Sequence, residues 1–183
     1  LLKRYKLKAI LAVPTFYILE ETVLSAESRL EAVSDRMMEG ELYKERVPFC
    51  TWKEIQEMAS SPYVKIASHG HLHKNLQEGG VDSLEELRLS KEILEKKIGQ
   101  RVDTFIYPFG KCNKKVHKEL LKFYSYGMRI GNTINSSWDS TKSPLCRMGS
   151  DNLQRVDEIF SWSKMVKVYG KFIFKSALNL YCR

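Results

Sequence analysis

Between Ser61-Pro62 and Lys74 the chain reads Tyr63-Val64-Lys65-Ile66-Ala67-Ser68-His69-Gly70-His71-Leu72-His73, and this segment divides into two physical halves. The first half, Tyr63 to Ser68, is short and largely apolar, and it follows a proline turn. It reads as a strand of a buried sheet. The second half gathers three of the chain's four histidines within five residues. Imidazole is the side chain that most often binds a transition metal. A strand leading directly into such a cluster points to an α/β fold with chemistry at the strand's exit.

The flanking sequence repeats the alternation. Upstream, Thr51-Trp52-Lys53-Glu54 has the spacing of a capping box, and it predicts a helix running to about Ser60 with Trp52, Ile55 and Met58 inward. Ala9-Ile10-Leu11-Ala12-Val13 predicts another strand, within residues 8–16 and buried on both faces, with Pro14 at its exit. Leu1 to Tyr5 reads as the end of a helix. Residues 20–38 have a weak helical pattern, followed by a polar stretch through Arg46.

Downstream, Ser83-Leu84-Glu85-Glu86 predicts a second capping box, and Gly99 a stop. A third strand is expected over 101–109. Asn113 is expected to cap a helix over 114–123. Strands are expected over 128–130 and 145–148. Strand and helix alternate through short links, which calls for a parallel sheet with crossover helices in one domain spanning residues 1–183. From Trp162 to Leu180 apolar residues recur at helical spacing, with lysines mostly elsewhere on the helix. That apolar stripe is expected to cover the sheet; a peripheral membrane contact is the alternative use.

Composition narrows the function classes. Hydrophobic residues make up 43% and charged residues 28% of the 183, an ordinary globular balance. No run of about 18 apolar residues occurs, so no transmembrane helix is expected. The net charge of +8 suits anionic surroundings, such as an acidic envelope polymer or a membrane surface. Nucleic acid is not expected as a partner. The lysines are spread over several predicted helices, with no recognisable nucleic-acid-binding motif. The four cysteines show no CxxC spacing, which argues against a cysteine zinc site.

His69 and His73 are four residues apart. If the chain turns helically as it leaves the strand, both rings face the same way and can share a divalent ion. A lone histidine at a strand end is usually structural, but two at this spacing favour an ion. Zinc accepts nitrogen together with carboxylate oxygen and fits best; it would need a third ligand and an open position. His71 should point away from the pair. His117, on a lysine-rich helix, reads as a surface residue.

Two motifs in this order resemble the polysaccharide deacetylase family, which shares the NodB homology domain. Ser68-His69-Gly70-His71-Leu72-His73 is similar to its Ser-His-Thr-x-x-His motif, with Gly70 in place of threonine. Tyr107-Pro108-Phe109-Gly110 is similar to its Tyr-Pro-Tyr/Phe-Gly motif. The segments Leu1–Ala9, Thr51–Ile55 and Ile98–Val102 also resemble the family's in order.

The resemblance implies a distorted (β/α)7-type barrel, lacking its first strand in this sequence. It implies metal-dependent hydrolysis of N-acetyl groups on an amino-sugar polymer or oligosaccharide, at the cell envelope or outside the cell. His69 and His73 would hold one divalent metal ion. Tyr107, Pro108, Phe109 and Gly110 would form the groove and oxyanion site. Arg147 falls where many members carry an arginine, with Cys146 replacing the preceding proline, and would play a supporting part.

The family's aspartates, one a ligand and one the catalytic base, would lie upstream of Leu1. The domain is therefore expected to be N-terminally incomplete and inactive as it stands. The family's late histidine has no counterpart after His117. The alternatives are a catalytically inactive carbohydrate-binding or scaffold protein on the same fold, and a sugar O-acetyl esterase. The sequence leaves the sugar and the oligomeric state open.

Overall fold

The computed structural model describes residues 1–31, 50–141, 143–150 and 155–178. Five parallel strands stand side by side in chain order: β1 (Ala9–Val13), β2 (Val64–Ser68), β3 (Thr104–Ile106), β4 (Tyr126–Ile130) and β5 (Leu145–Arg147). Among the described residues the α-helices are α1 (Leu2–Tyr5), α2 (Ala26–Glu31), α3 (Trp52–Ala59), α4 (Ser83–Ile98), α5 (Lys114–Leu120) and α6 (Trp162–Leu178). The α/β class is as expected. Strands added one after another in the same direction are consistent with barrel-type winding, and the five described strands form one sheet. The expected helix over 20–38 falls partly on α2; residues 32–49 lie outside the described residues.

Local sequence accounts for most boundaries. Thr51 Oγ1 accepts from the Glu54 amide, and the Glu54 carboxylate accepts from the Thr51 amide, completing the capping box that starts α3. Asn113 caps α5 through the Val116 amide. Gly99 ends α4 in the left-handed conformation, at φ 67°. The start of α4 differs from expectation: Asp82 is the cap, accepting from the Glu85 amide at 3.0 Å. Ser83 is already helical, and its hydroxyl instead donates to Glu119 on α5.

The core lies between the sheet and helices α3, α4 and α5. Trp52, Ile55, Leu87, Leu94, Val116 and Leu120 meet Val13, Ile66 and Phe105 there. Burying a Leu, Val or Phe side chain is worth about 1.5–3 kcal/mol, so this layer is the main source of stability. Two patterning expectations fail. β1 is not buried on both faces: Val13 enters the core and Leu11 packs on it, while Ile10, on the opposite side of the pleat, is 43% exposed. The stripe of α6 does not cover the sheet either. Val168 is buried, but Trp162, Val166, Tyr169, Ile173 and Phe174 are exposed. Amphipathic spacing marks a face without naming what lies against it.

Candidate functional site

Parallel strands deliver their C-terminal ends to one rim, and the loops leaving that rim carry the candidate residues. His69 leaves β2 directly, and its amide donates to the Val13 carbonyl of β1 at 3.0 Å. Its Nδ1 lies 2.6 Å from the Ile106 carbonyl of β3. A carbonyl only accepts, so Nδ1 carries the proton and Nε2 keeps its lone pair.

The chain then turns back rather than continuing as a helix. Gly70 has φ 82° and His73 φ 54°, so the pair converges through a tight left-handed loop and not through helical spacing. His73 Nε2 stands 3.1 Å from His69 Nε2, with ring centroids 4.6 Å apart. His71 points elsewhere, as expected: its Nδ1 meets Thr15 Oγ1 at 2.8 Å, and its ring packs edge-on to Phe16.

Electrostatics keep both rings neutral near pH 7. Burial lowers the His69 pKa below the ordinary imidazole value; its bond to Ile106 opposes the shift and the charge of Arg147 adds to it. Burial, then the neighbouring His69, brings His73 down to about 4. Two neutral imidazoles with converging nitrogens suit a cation. Two nitrogens about 2.0–2.1 Å from one ion, at bond angles of about 90–110°, stand about 2.8–3.4 Å apart, and the observed separation of 3.1 Å lies within that range. The pair fits a divalent transition metal. Among the described residues no third His, Cys, Asp or Glu completes such a group.

The Tyr107–Gly110 turn forms the adjoining wall. Phe109 sits at φ 55°, is 58% exposed, and holds its ring 4.8 Å from that of His73. Pro108 and Gly110 are buried beneath it. Tyr107 contributes to the turn through its backbone, for its ring is 1% exposed and its hydroxyl meets His117 Nδ1 at 2.9 Å. His117, expected at the surface, is instead buried. It is 3% exposed, with Nε2 2.6 Å from the Ser140 carbonyl. Nε2 therefore donates, and Nδ1 accepts from the Tyr107 hydroxyl. Arg147 ends β5 on the same rim, exposed and within electrostatic reach of His69.

The sequence pattern makes Glu86 part of a cap, yet it is buried against the histidine loop, where its carboxylate accepts from the His71 and Leu72 amides. The available signal was its neighbourhood: an acidic residue beside Leu87, on the inward arc of an amphipathic helix.

A family model for polysaccharide deacetylases matches residues 1–128. A search of curated proteins finds no match. Among solved structures, a polysaccharide deacetylase from Bacillus cereus shares 34% identity over 45% of this chain and 26% of its own, with a TM-score of 0.43. IcaB from Ammonifex degensii aligns over 91% of this chain and 63% of its own, at 17% identity and TM-score 0.60. The Streptococcus pyogenes deacetylase PplD, solved in complex with acetate, aligns over 91% and 61%, at 20% identity and TM-score 0.61. The chain thus spans about a quarter of the first of these proteins and under two thirds of the other two. At such identities IcaB and PplD speak for the fold.

Proposed function

The chain belongs to the polysaccharide deacetylase family, and on that premise we propose that it serves a metal-dependent hydrolase removing N-acetyl groups from an amino-sugar polymer or oligosaccharide. The observation that carries this reading is the 3.1 Å approach of the His69 and His73 Nε2 atoms beside the Tyr107–Gly110 turn. His69 and His73 would hold one divalent ion, zinc by preference. Such an ion would supply Lewis acidity and the means to activate a water near neutral pH.

The chain's own residues do the rest. The Ile106 carbonyl keeps the His69 proton on Nδ1, leaving Nε2 free to bind. The Phe109 N–H is the proposed donor to the oxygen that becomes negative as the acetyl carbon is attacked, a contribution worth about 3 kcal/mol in other hydrolases. The exposed Phe109 ring offers an apolar wall to a sugar face, and Pro108 and Gly110 hold the turn. Arg147 adds positive charge at the rim. The proposed setting is the cell envelope or the outside of the cell, in keeping with a net charge of +8.

The test is acetate release from a panel of N-acetylated oligosaccharides by the full-length gene product, with and without chelator. Chelator-sensitive release is expected, and His73→Ala is expected to abolish it. No release by the metal-loaded protein across the panel would refute the hydrolase. Release from O-acetylated sugars alone would make it an esterase. The alternative on the same fold is a carbohydrate-binding or scaffold protein. Binding of the same oligosaccharides without turnover would establish it.

A further inference from the structure

We infer that Glu86 is a positioning residue for the proposed metal site: its carboxylate, reaching in from α4, holds the loop that aims His69 and His73 at one point. The inference rests on the metal-binding reading above and adds to it a residue outside both motifs.

Glu86 lies in the first turn of α4 and is 7% exposed. Its Oε2 accepts from the His71 amide at 2.9 Å and the Leu72 amide at 3.0 Å, and Oε1 accepts again from Leu72 at 3.3 Å. These amides belong to two of the three residues between the paired histidines. A buried carboxylate needs such donors, and a tight loop whose amides converge supplies them. The opposite edge of the loop is bound as well: the Thr15 and Phe16 amides donate to the Gly70 and His71 carbonyls at 3.1 and 3.0 Å. The loop is therefore gripped from β1's exit on one side and from α4 on the other.

The departure at Gly70 fits this arrangement. Its φ of 82° is one that other residues rarely adopt, and a Cβ there would stand 3.2 Å from Glu86 Oε2. A side chain at position 70 would press on the carboxylate that binds the next two amides. Gly70 and Glu86 thus act as one device. The glycine supplies the turn and the room; the carboxylate locks the turn. His73, at φ 54°, is a side chain in a backbone region that must be imposed by its surroundings, and this clamp imposes it.

The experiment measures zinc affinity of the full-length gene product by competition with a chelating indicator, and records the visible spectrum of its cobalt(II) form. Glu86→Ala is expected to weaken zinc binding by about 10–100-fold and to change the cobalt spectrum, the range typical of partners that orient metal ligands. Glu86→Gln, whose amide oxygen can still accept from both N–H groups, is expected to restore binding to within about threefold. Glu86→Asp keeps the charge but shortens the reach, and should behave like Glu86→Ala; it decides the matter if the alanine variant does not fold. Wild-type-like affinity and spectrum in Glu86→Asp or Glu86→Ala would overturn the inference while leaving the metal site standing. A wild-type protein that binds neither zinc nor cobalt would overturn both together.

Discussion

His117 shows at the scale of one residue how a sequence conceals a role. Lys114, Lys115 and Lys118 surround it, and they give the segment a solvated look. Yet Val116, His117 and Leu120 are the buried residues of α5, and the imidazole closes a bridge from Tyr107 to Ser140. His117→Leu removes both bonds and should cost about 1–3 kcal/mol by urea unfolding at neutral pH. The pH dependence has a definite sign. Burial holds the His117 pKa below its ordinary value of 6.5 in the folded protein. The unfolded chain therefore takes up the proton first, and His117 costs the wild type stability as pH falls below about 6.5. The gap between wild type and His117→Leu should narrow over that interval. A constant gap would show that the imidazole is not held neutral.

The histidine pair is the reverse case. The residue types and their spacing were legible, but the way they meet was not. A helical turn was the local expectation; a left-handed loop fixed by Glu86, 13 positions beyond His73, is what occurs. Contacts made across that separation leave no periodic trace in the sequence.

At the scale of elements, start signals were the most readable. The Thr51 box and the Asn113 cap stand where the sequence put them, because a cap depends only on residues one turn away. The first box also has a tertiary partner. Arg29 of α2 places two guanidinium nitrogens on Glu54, at 2.5 and 2.9 Å. That ion pair, followed by the Thr51 amide, holds the Glu54 carboxyl down to about 2. The stabilisation is present above the ordinary value of 4.5 and disappears as pH falls from there toward 2. Replacing Thr51 with Ala should cost about 1 kcal/mol in chemical denaturation. Glu54→Gln should flatten the acid limb of the stability profile; an unchanged limb would remove Glu54 from the account. Apolar runs were less informative. The run at 9–13 foretold a strand but not that Ile10 would lie half open, because a strand's burial depends on its neighbours as much as on itself.

For the whole molecule, the α/β class followed from the alternation of patterns, and the order of five strands is what successive right-handed crossovers produce. The placement of α6 did not follow, since helical periodicity carries no distance information. The packing is uneven as a result. Leu87 and Leu94 of α4 are fully buried, whereas α6 leaves most of its large apolar side chains exposed. Amide hydrogen exchange followed by mass spectrometry should find α4 protected close to the global limit and α6 exchanging by local opening at much lower free energy. Equal protection of the two helices would contradict this division.

The bond from His69 Nδ1 to the Ile106 carbonyl has an evolutionary consequence. Its acceptor is main chain, present whatever amino acid occupies position 106. No point substitution of that side chain can delete it, and drift along β3 leaves the imidazole's orientation intact so long as the strands keep their alignment. The clamp at Glu86 has no such insurance, since a single codon change abolishes it. Lineages losing the chemistry should therefore carry lesions in the helix before lesions in the strand.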